Sequence, residues 1–309
     1  MGDAAVTSAL KPIRQKSGVP AMAAAVETSE GIQFVGAVGV RKRGTEMPVT
    51  LAGQWHLGSD GKAMTSTLIA RLVERGQLHR DTTLAEVFSD LAPQMDEFKK
   101  VTLLHLLSHR AGLPANLSLA QYLGDDVVAL RLRAAREELA KNPQHTPGST
   151  FEYSNLDYII AGAVMERSTG QPWERAVSRE VFEPLQMKTA GFGGTGSPDK
   201  VEQPWPHKAN GEPAPEHGPA LDNPPVMGPA GRVHCMIQDW AKFIQDQFKL
   251  LDKSRKRSST LTRATSTATG SCIRQCLAGL ESSPSPAGRR TYPTEAGVRR
   301  SGVSVLASD

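Results

Sequence analysis

Ser59 and Lys62 stand three residues apart at the mouth of a helical run, in WHLGSDGKAMTSTLIARLVERGQL (residues 55–78). A serine hydroxyl becomes a nucleophile only when a neighbouring group takes its proton. A lysine three positions on lies on the same helix face and can be that group. A serine at a helix start also has free backbone N–H groups and the positive end of the helix dipole beside it, where negative charge would develop. The Gly-Lys pair raises a second reading, a phosphate-binding loop. That loop requires Gly where this chain has His56, and Ser or Thr where it has Ala63. Ser-x-x-Lys recurs at Ser8/Lys11 and Ser197/Lys200. Ser8 falls within a terminal helical stretch, and Ser197 precedes Pro198 among glycines. Ser59 alone directly precedes a strong helix; the bland alternative is that it is an ordinary N-cap.

Tyr153-Ser154-Asn155 is the one Tyr-x-Asn of the chain. A phenol near a lysine can carry a proton to a leaving group, and an Asn amide can bind a substrate amide or the lysine. The competing reading is an Asn cap beside a packed Tyr. Other candidates are weaker. His105 and His109 have the i, i+4 spacing of zinc ligands, but Leu106 follows where a metalloprotease has Glu, and both fit a structural helix end before Gly112. Glu166 reads as a solvated helix residue. Cys235, Cys272 and Cys276 make neither a disulfide framework nor a zinc spacing.

The elements that must position these residues are legible from periodicity. Residues 3–17 read as a helix, and two strands follow around a turn at residues 29–31. Helices are expected over 60–76, 102–109, 126–141 and 155–169, the last closed by Gly170, and another is opened by Pro172 and runs to about Phe182. Residues 193–231 read as a long Gly- and Pro-rich loop, and 236–250 as an amphipathic helix. No run of apolar residues is long enough to span a membrane. The first residues, MGDAAVTSALKPIRQ, lack the apolar core of a secretory signal, so the chain reads as cytoplasmic as written, or exported if a leader was lost.

Beyond residue 250 the composition shifts. Residues 251–309 hold eighteen Ser/Thr, one aromatic residue, ten Lys/Arg and four Asp/Glu. The whole chain is +4, so residues 1–250 are slightly acidic and carry no electrostatic sign of nucleic-acid binding. The tail lacks strand alternation and reads as disordered, or as out of frame. Arg289–Arg290 and Arg299–Arg300 read as solvated rather than as a surface for anions.

Taken in order, HLGS-x-x-K, VTLLHLLSHRAGLP, YSNLDYIIAGAVMERSTGQPWE, VFEPLQMKTAGF and GPAGRVHCMIQDWAKFI resemble the class C β-lactamase-related serine hydrolases, which include penicillin-binding carboxypeptidases and esterases. The resemblance covers about residues 10–250. It implies an α/β (α+β) sandwich, an antiparallel sheet flanked by helices, plus a helical region, with the site between them. It carries over Ser59 as nucleophile, Lys62 as its base partner, Tyr153 as proton shuttle and Asn155 as the substrate-binding amide. It implies no cofactor and no metal. One departure stands out. The third motif of the family, Lys-Thr-Gly or His-x-Gly on a late strand, is absent from the tail, and the GGTG at 193–196 comes too early and reads as a loop. The C-terminal strands are therefore expected to be missing.

The resulting expectation is a serine hydrolase domain over 1–250. It would act through an acyl-enzyme on a small-molecule substrate, a β-lactam, an ester or a D-alanyl amide, with no nucleic-acid partner and no set oligomeric state. The alternative is a truncated relative that binds without turnover.

Overall fold

The computed structural model describes residues 2–28, 30–208, 210–215, 222–260 and 301–307. In chain order the elements are α1 (Ala4–Ser17), β1 (Ala21–Thr28), β2 (Gly31–Gly39), β3 (Gln54–His56), α2 (Gly61–Glu74), α3 (Leu84–Val87), α4 (Leu103–Leu107), α5 (Val127–Leu139), α6 (Asn155–Thr169), α7 (Trp173–Val177), β4 (Gly191–Phe192), α8 (Gly228–Gly231), β5 (Val233–Met236), α9 (Ile237–Thr260) and β6 (Ser301–Ala307).

β1 is the centre of an antiparallel sheet in the order β2-β1-β6. Its side chains alternate between two faces, as the period of a strand requires. Met22 and Ala24 join Leu10 of α1 and Val38 of β2 in a small outer cluster. Ala21, Ala23 and Ala25 face the large core, on the side covered by α9. Small residues let the layers approach closely. A Cβ at Gly36 would come within 2.9 Å of Val6 Cγ1 on α1.

The helical region is organised by α6, which is buried from Leu156 to Glu166 and contacts α2, α4, α5 and α8. Ser154 caps it by accepting the Asp157 N–H at 3.1 Å, and Gly170 ends it at φ 68°. α2 packs Met64, Leu68, Ile69 and Leu72 into the same core.

Several elements differ from expectation. A second sheet, in the order β3-β5-β4, is made of strands of two to four residues, too short for alternation to register. The helix after Pro172 divides into α7 and a π-turn over Ser178–Phe182. α9 runs to Thr260, past the composition change. The tail, read as lacking strand alternation, contributes β6, with Val303 opposite Val26 and Ala307 opposite Met22. The expectation of a disordered or out-of-frame tail otherwise falls on residues outside those described.

Glu166 requires a correction. It is 4% exposed and pairs with the fully buried Arg131, and it accepts the Trp173 N–H at 2.9 Å. A helix buried on every side has no solvated face on which to place a carboxylate, so Glu166 survives there only as part of an ion pair.

Candidate active site

β3 leads into a 3-10 turn, Gly58–Asp60, and α2 begins at Gly61. The Leu57 N–H donates to Val233 O at 2.8 Å, so β3–β5 pairing reaches the residue before the turn. Gly58 has φ 52°, a left-handed conformation that glycine adopts without strain. Its N–H donates to His56 Nδ1 at 3.1 Å, and His56 Nε2 lies 2.9 Å from Asp222 Oδ1. The turn is thereby tied to the long loop, with Ser59 exposed at its apex.

Lys62 lies one helical turn on and is only 5% exposed. Its Nζ donates to Ser59 Oγ at 3.1 Å, to Asn155 Oδ1 at 2.7 Å and to Ala230 O at 2.7 Å. An ammonium has three N–H donors, and these acceptors can engage all three. Neither the turn nor α2 carries a side-chain cap hydrogen bond, so the ordinary N-cap is not the arrangement found at Ser59. Among the described residues, Ser59–Lys62 is the one Ser-x-x-Lys pair joined by a hydrogen bond; Ser197 donates instead to Glu202 at 2.6 Å.

The Tyr-x-Asn stretch meets this lysine from the start of α6. Because Ser154 is the cap, the Asn155 side chain is released from the role that sequence offered it. Its Oδ1 takes Lys62, and its Nδ2 donates to Asn116 Oδ1 at 2.7 Å. Tyr153 is 42% exposed, with its ring centroid 4.9 Å from Lys62 Nζ. Ser59, Lys62, Tyr153 and Asn155 thus converge from elements far apart in the chain.

Electrostatics around the lysine follow from burial and charge. Burial pushes the Asp60 carboxyl up, and the Lys62 charge pulls it back. Burial, with the Lys62 charge added, pushes His109 down to about 4. Burial holds Asp157, behind His109, well above the usual carboxylate range. The Cys235 thiol is likewise raised, chiefly by burial, which makes it unreactive.

Two groups at the site had no distinctive sequence signal. Ala230 acts through its carbonyl, which any residue carries. Asn116, just after the AGLP stretch, belongs to no motif with a chemical signature. The ring of His109, at metal-ligand spacing from His105, packs instead against Tyr153 and Tyr158. His105 belongs to the α4 cap, its Nδ1 accepting the Thr102 N–H at 3.1 Å. Among the described residues no group of three or more His, Cys, Asp or Glu could hold a metal ion, and no helix is long and apolar enough to cross a membrane. The resemblance implies an oxyanion hole made by the Ser59 N–H and a second N–H from the late strand that bears the third motif; β6 carries neither Lys-Thr-Gly nor His-x-Gly.

An antiparallel sheet flanked by helices, with the Ser-x-x-Lys turn between it and a helical region, is the β-lactamase/transpeptidase-like fold. The same fold is found in the crystal structure of D-alanine carboxypeptidase AmpC from Burkholderia cenocepacia, with TM-score 0.63 and 20% identity over 88% of this chain and 67% of that one. The chain belongs to the Beta-lactamase family, whose model matches residues 6–297 and so extends beyond the stretch on which the motifs lie. It is 30% identical over 272 residues to Penicillin-binding protein 4 of Amycolatopsis lactamdurans, covering 86% of this chain and 68% of that protein. It is 32% identical over 213 residues to Esterase EstB of Burkholderia gladioli, covering 65% of this chain and 53% of the esterase. The chain therefore spans between about half and two thirds of the length of these relatives.

Proposed function

We propose that the protein is a serine hydrolase that works through an acyl-enzyme. Ser59 Oγ attacks the carbonyl carbon of an ester, a β-lactam or a D-alanyl amide. Lys62 acts in its neutral amine form, with its lone pair turned to the Ser59 hydroxyl; with Tyr153 it takes the hydroxyl proton and delivers it to the departing alcohol or amine. Water then attacks the acyl group and releases the acid. Asn155 holds Lys62 through Oδ1 and keeps one amide N–H for the substrate, the other being donated to Asn116. The observation that carries this reading is the 3.1 Å contact between Lys62 Nζ and an exposed serine hydroxyl at a helix start. The relatives include a penicillin-binding protein and an esterase, which supports an acyl group as substrate without choosing one.

The test is intact mass after incubation with a fluorophosphonate or a penicillin, beside Ser59→Ala. One adduct on the parent alone supports the reading. A folded parent that takes no adduct sinks it. The second reading, a relative that binds without turnover, is favoured by the absence of Lys-Thr-Gly and of histidine from residues 251–309. Losing one oxyanion donor costs about 10²–10³ in turnover. Reversible penicillin binding by a folded parent that takes no adduct from either probe would support that second reading.

A further inference from the structure

His109 is one of two non-glycine residues at positive φ among those described, with φ 56°. A left-handed backbone is uncommon for a side-chain-bearing residue and persists where surrounding contacts impose it. The contacts here converge on one neighbour. His109 O accepts the Glu152 N–H at 2.9 Å, and His109 Nδ1 accepts the Ser154 N–H at 3.1 Å. The residue between those two amides is Tyr153. The imidazole also lies against the Tyr153 ring, with centroids 4.6 Å apart and planes tilted by 33°. On its other sides it meets Tyr158 at 5.2 Å and Phe151 at 5.7 Å.

We propose that His109 is the positioning residue of Tyr153: its carbonyl and Nδ1 hold the amides on both sides of the tyrosine, its ring backs the phenol, and together they keep Tyr153 beside Lys62. This rests on the hydrolase reading above. Tyr153 is half-exposed at the start of a helix, and the Ser154 cap hydrogen bond runs forward to the Asp157 N–H, away from Tyr153. Ser154 Oγ donates to Pro114 O at 2.7 Å and the Asn155 N–H to Ala115 O at 2.8 Å, so the rest of the stretch is held by residues 114–115, and Tyr153 is held by His109. The environment keeps Nδ1 an acceptor. The ring is buried, with Lys62 on one side and Tyr153, Tyr158 and Asp157 around it. Its titration is pushed down to about 4, leaving the lone pair free at neutral pH. The left-handed backbone turns the chain at 109 so that one residue presents both its carbonyl and its ring nitrogen to the 152–154 strand of chain.

The test is a double-mutant cycle read as the rate of Ser59 labelling by a fluorophosphonate on the full chain. In that step Ser59 Oγ forms a bond to phosphorus, fluoride leaves, and the serine proton passes to the base. His109→Gly keeps the left-handed backbone without strain and removes the imidazole. It is expected to slow labelling about 10-fold or more with Tyr153 in place, and by less than about 2-fold in the Tyr153→Phe background, because both changes then remove the same effect. His109→Asn, which tolerates the same φ and sets Oδ1 near the place of Nδ1, is expected to stay within about 3-fold of the parent. An equal loss in both backgrounds means that His109 only supports the fold and overturns the proposal, as does an unchanged rate in His109→Gly. If His109→Gly does not fold, the cycle is run with His109→Ala, which also removes the imidazole; a loss confined to the Tyr153 background is expected, and one that persists beside Tyr153→Phe overturns the proposal. A parent that takes no Ser59 adduct overturns the hydrolase reading itself, and this proposal with it.

Discussion

Lys62 Nζ donates a 2.7 Å hydrogen bond to the carbonyl oxygen of Ala230, a residue 168 positions further along the chain. The segment that supplies this carbonyl is held on several sides. Thr65 Oγ1 donates to Pro229 O at 2.8 Å, and buried Arg131 donates to the carbonyls of Val226 at 3.2 Å and Pro225 at 3.0 Å. β5 follows directly and pairs with β3, which leads into the Ser59 turn. One stretch of chain, 225–236, therefore sets both the lysine and the serine that it faces.

Gly162 is where α6 lets that stretch approach. A Cβ there would meet Pro229 Cγ at 2.4 Å, against a ring that cannot swing aside. Gly162→Ala is expected to cost about 1–3 kcal/mol by overpacking and to slow Ser59 labelling by displacing Ala230 O. Urea midpoints and labelling rates measured together check both effects; an unchanged protein would show that the 225–231 segment is free to shift.

Arg131 is fully buried between Glu166 and Glu174. Glu166→Ala leaves the guanidinium with Glu174 as its one carboxylate partner, beside the Val226 and Pro225 carbonyls, and the Trp173 N–H without its acceptor. Breaking a buried pair costs about 3–5 kcal/mol, and the remaining Glu174 places the expected loss near the lower end. Thermal denaturation of the variant tests this, and a loss under about 1 kcal/mol would contradict it.

His109 links stability to pH. Its folded value of about 4 lies below its ordinary 6.5, so between those values the unfolded chain binds a proton that the folded chain refuses. That contribution is whole above 6.5 and is lost as pH falls toward 4. Asp157, raised by burial, acts in the opposite sense, because the folded form takes its proton first on acidification. The comparison of parent with His109→Asn isolates the histidine. The stability difference between them is expected to change by up to about 3 kcal/mol from neutral pH to pH ~4, and a difference that stays flat would refute it.

Gly61 has φ −57° and ψ −22°, ordinary helical values, and a Cβ there would meet Val233 Cγ2 at 3.5 Å, a normal contact. No geometry demands glycine. Gly61→Ala is expected to stabilise the fold by about 0.5–1 kcal/mol through helix propensity and to leave the Ser59–Lys62 distance unchanged. Chemical denaturation reads the first and the labelling rate the second.

Asn116 orients Asn155 by accepting one of its amide protons at 2.7 Å. Asn116 is exposed, so its removal spares the core. Asn116→Ala is expected to reduce the labelling rate about 5-fold, the equivalent of one hydrogen bond of about 1 kcal/mol, with the melting temperature unchanged. A rate equal to the parent's would mean that Asn155 is oriented by Lys62 alone.

Local chemistry determined much of this protein in the sequence itself. Gly170 ends α6 and Pro172 caps α7, because a left-handed stop and a fixed φ are properties of single residues. The β1–β2 hairpin and the long helices followed from periodicity, since burial of one face repeats along the chain. Ser59 and Lys62 were legible as a pair because one helical turn joins them. What the tertiary structure decided lies where partners are distant or anonymous. Asn155 read as a cap until Ser154 took that position, and the freed amide found Lys62 across the core. Glu166 read as solvated because its partner, Arg131, is on another helix. The second sheet is built of strands too short to have a pattern, paired only because the chain returns there. Ala230 serves through a backbone carbonyl, and His109 through a backbone carbonyl and a ring nitrogen aimed by a left-handed turn. No residue type announces such a role; it exists only once the surrounding fold has brought the two chain segments to hydrogen-bonding distance.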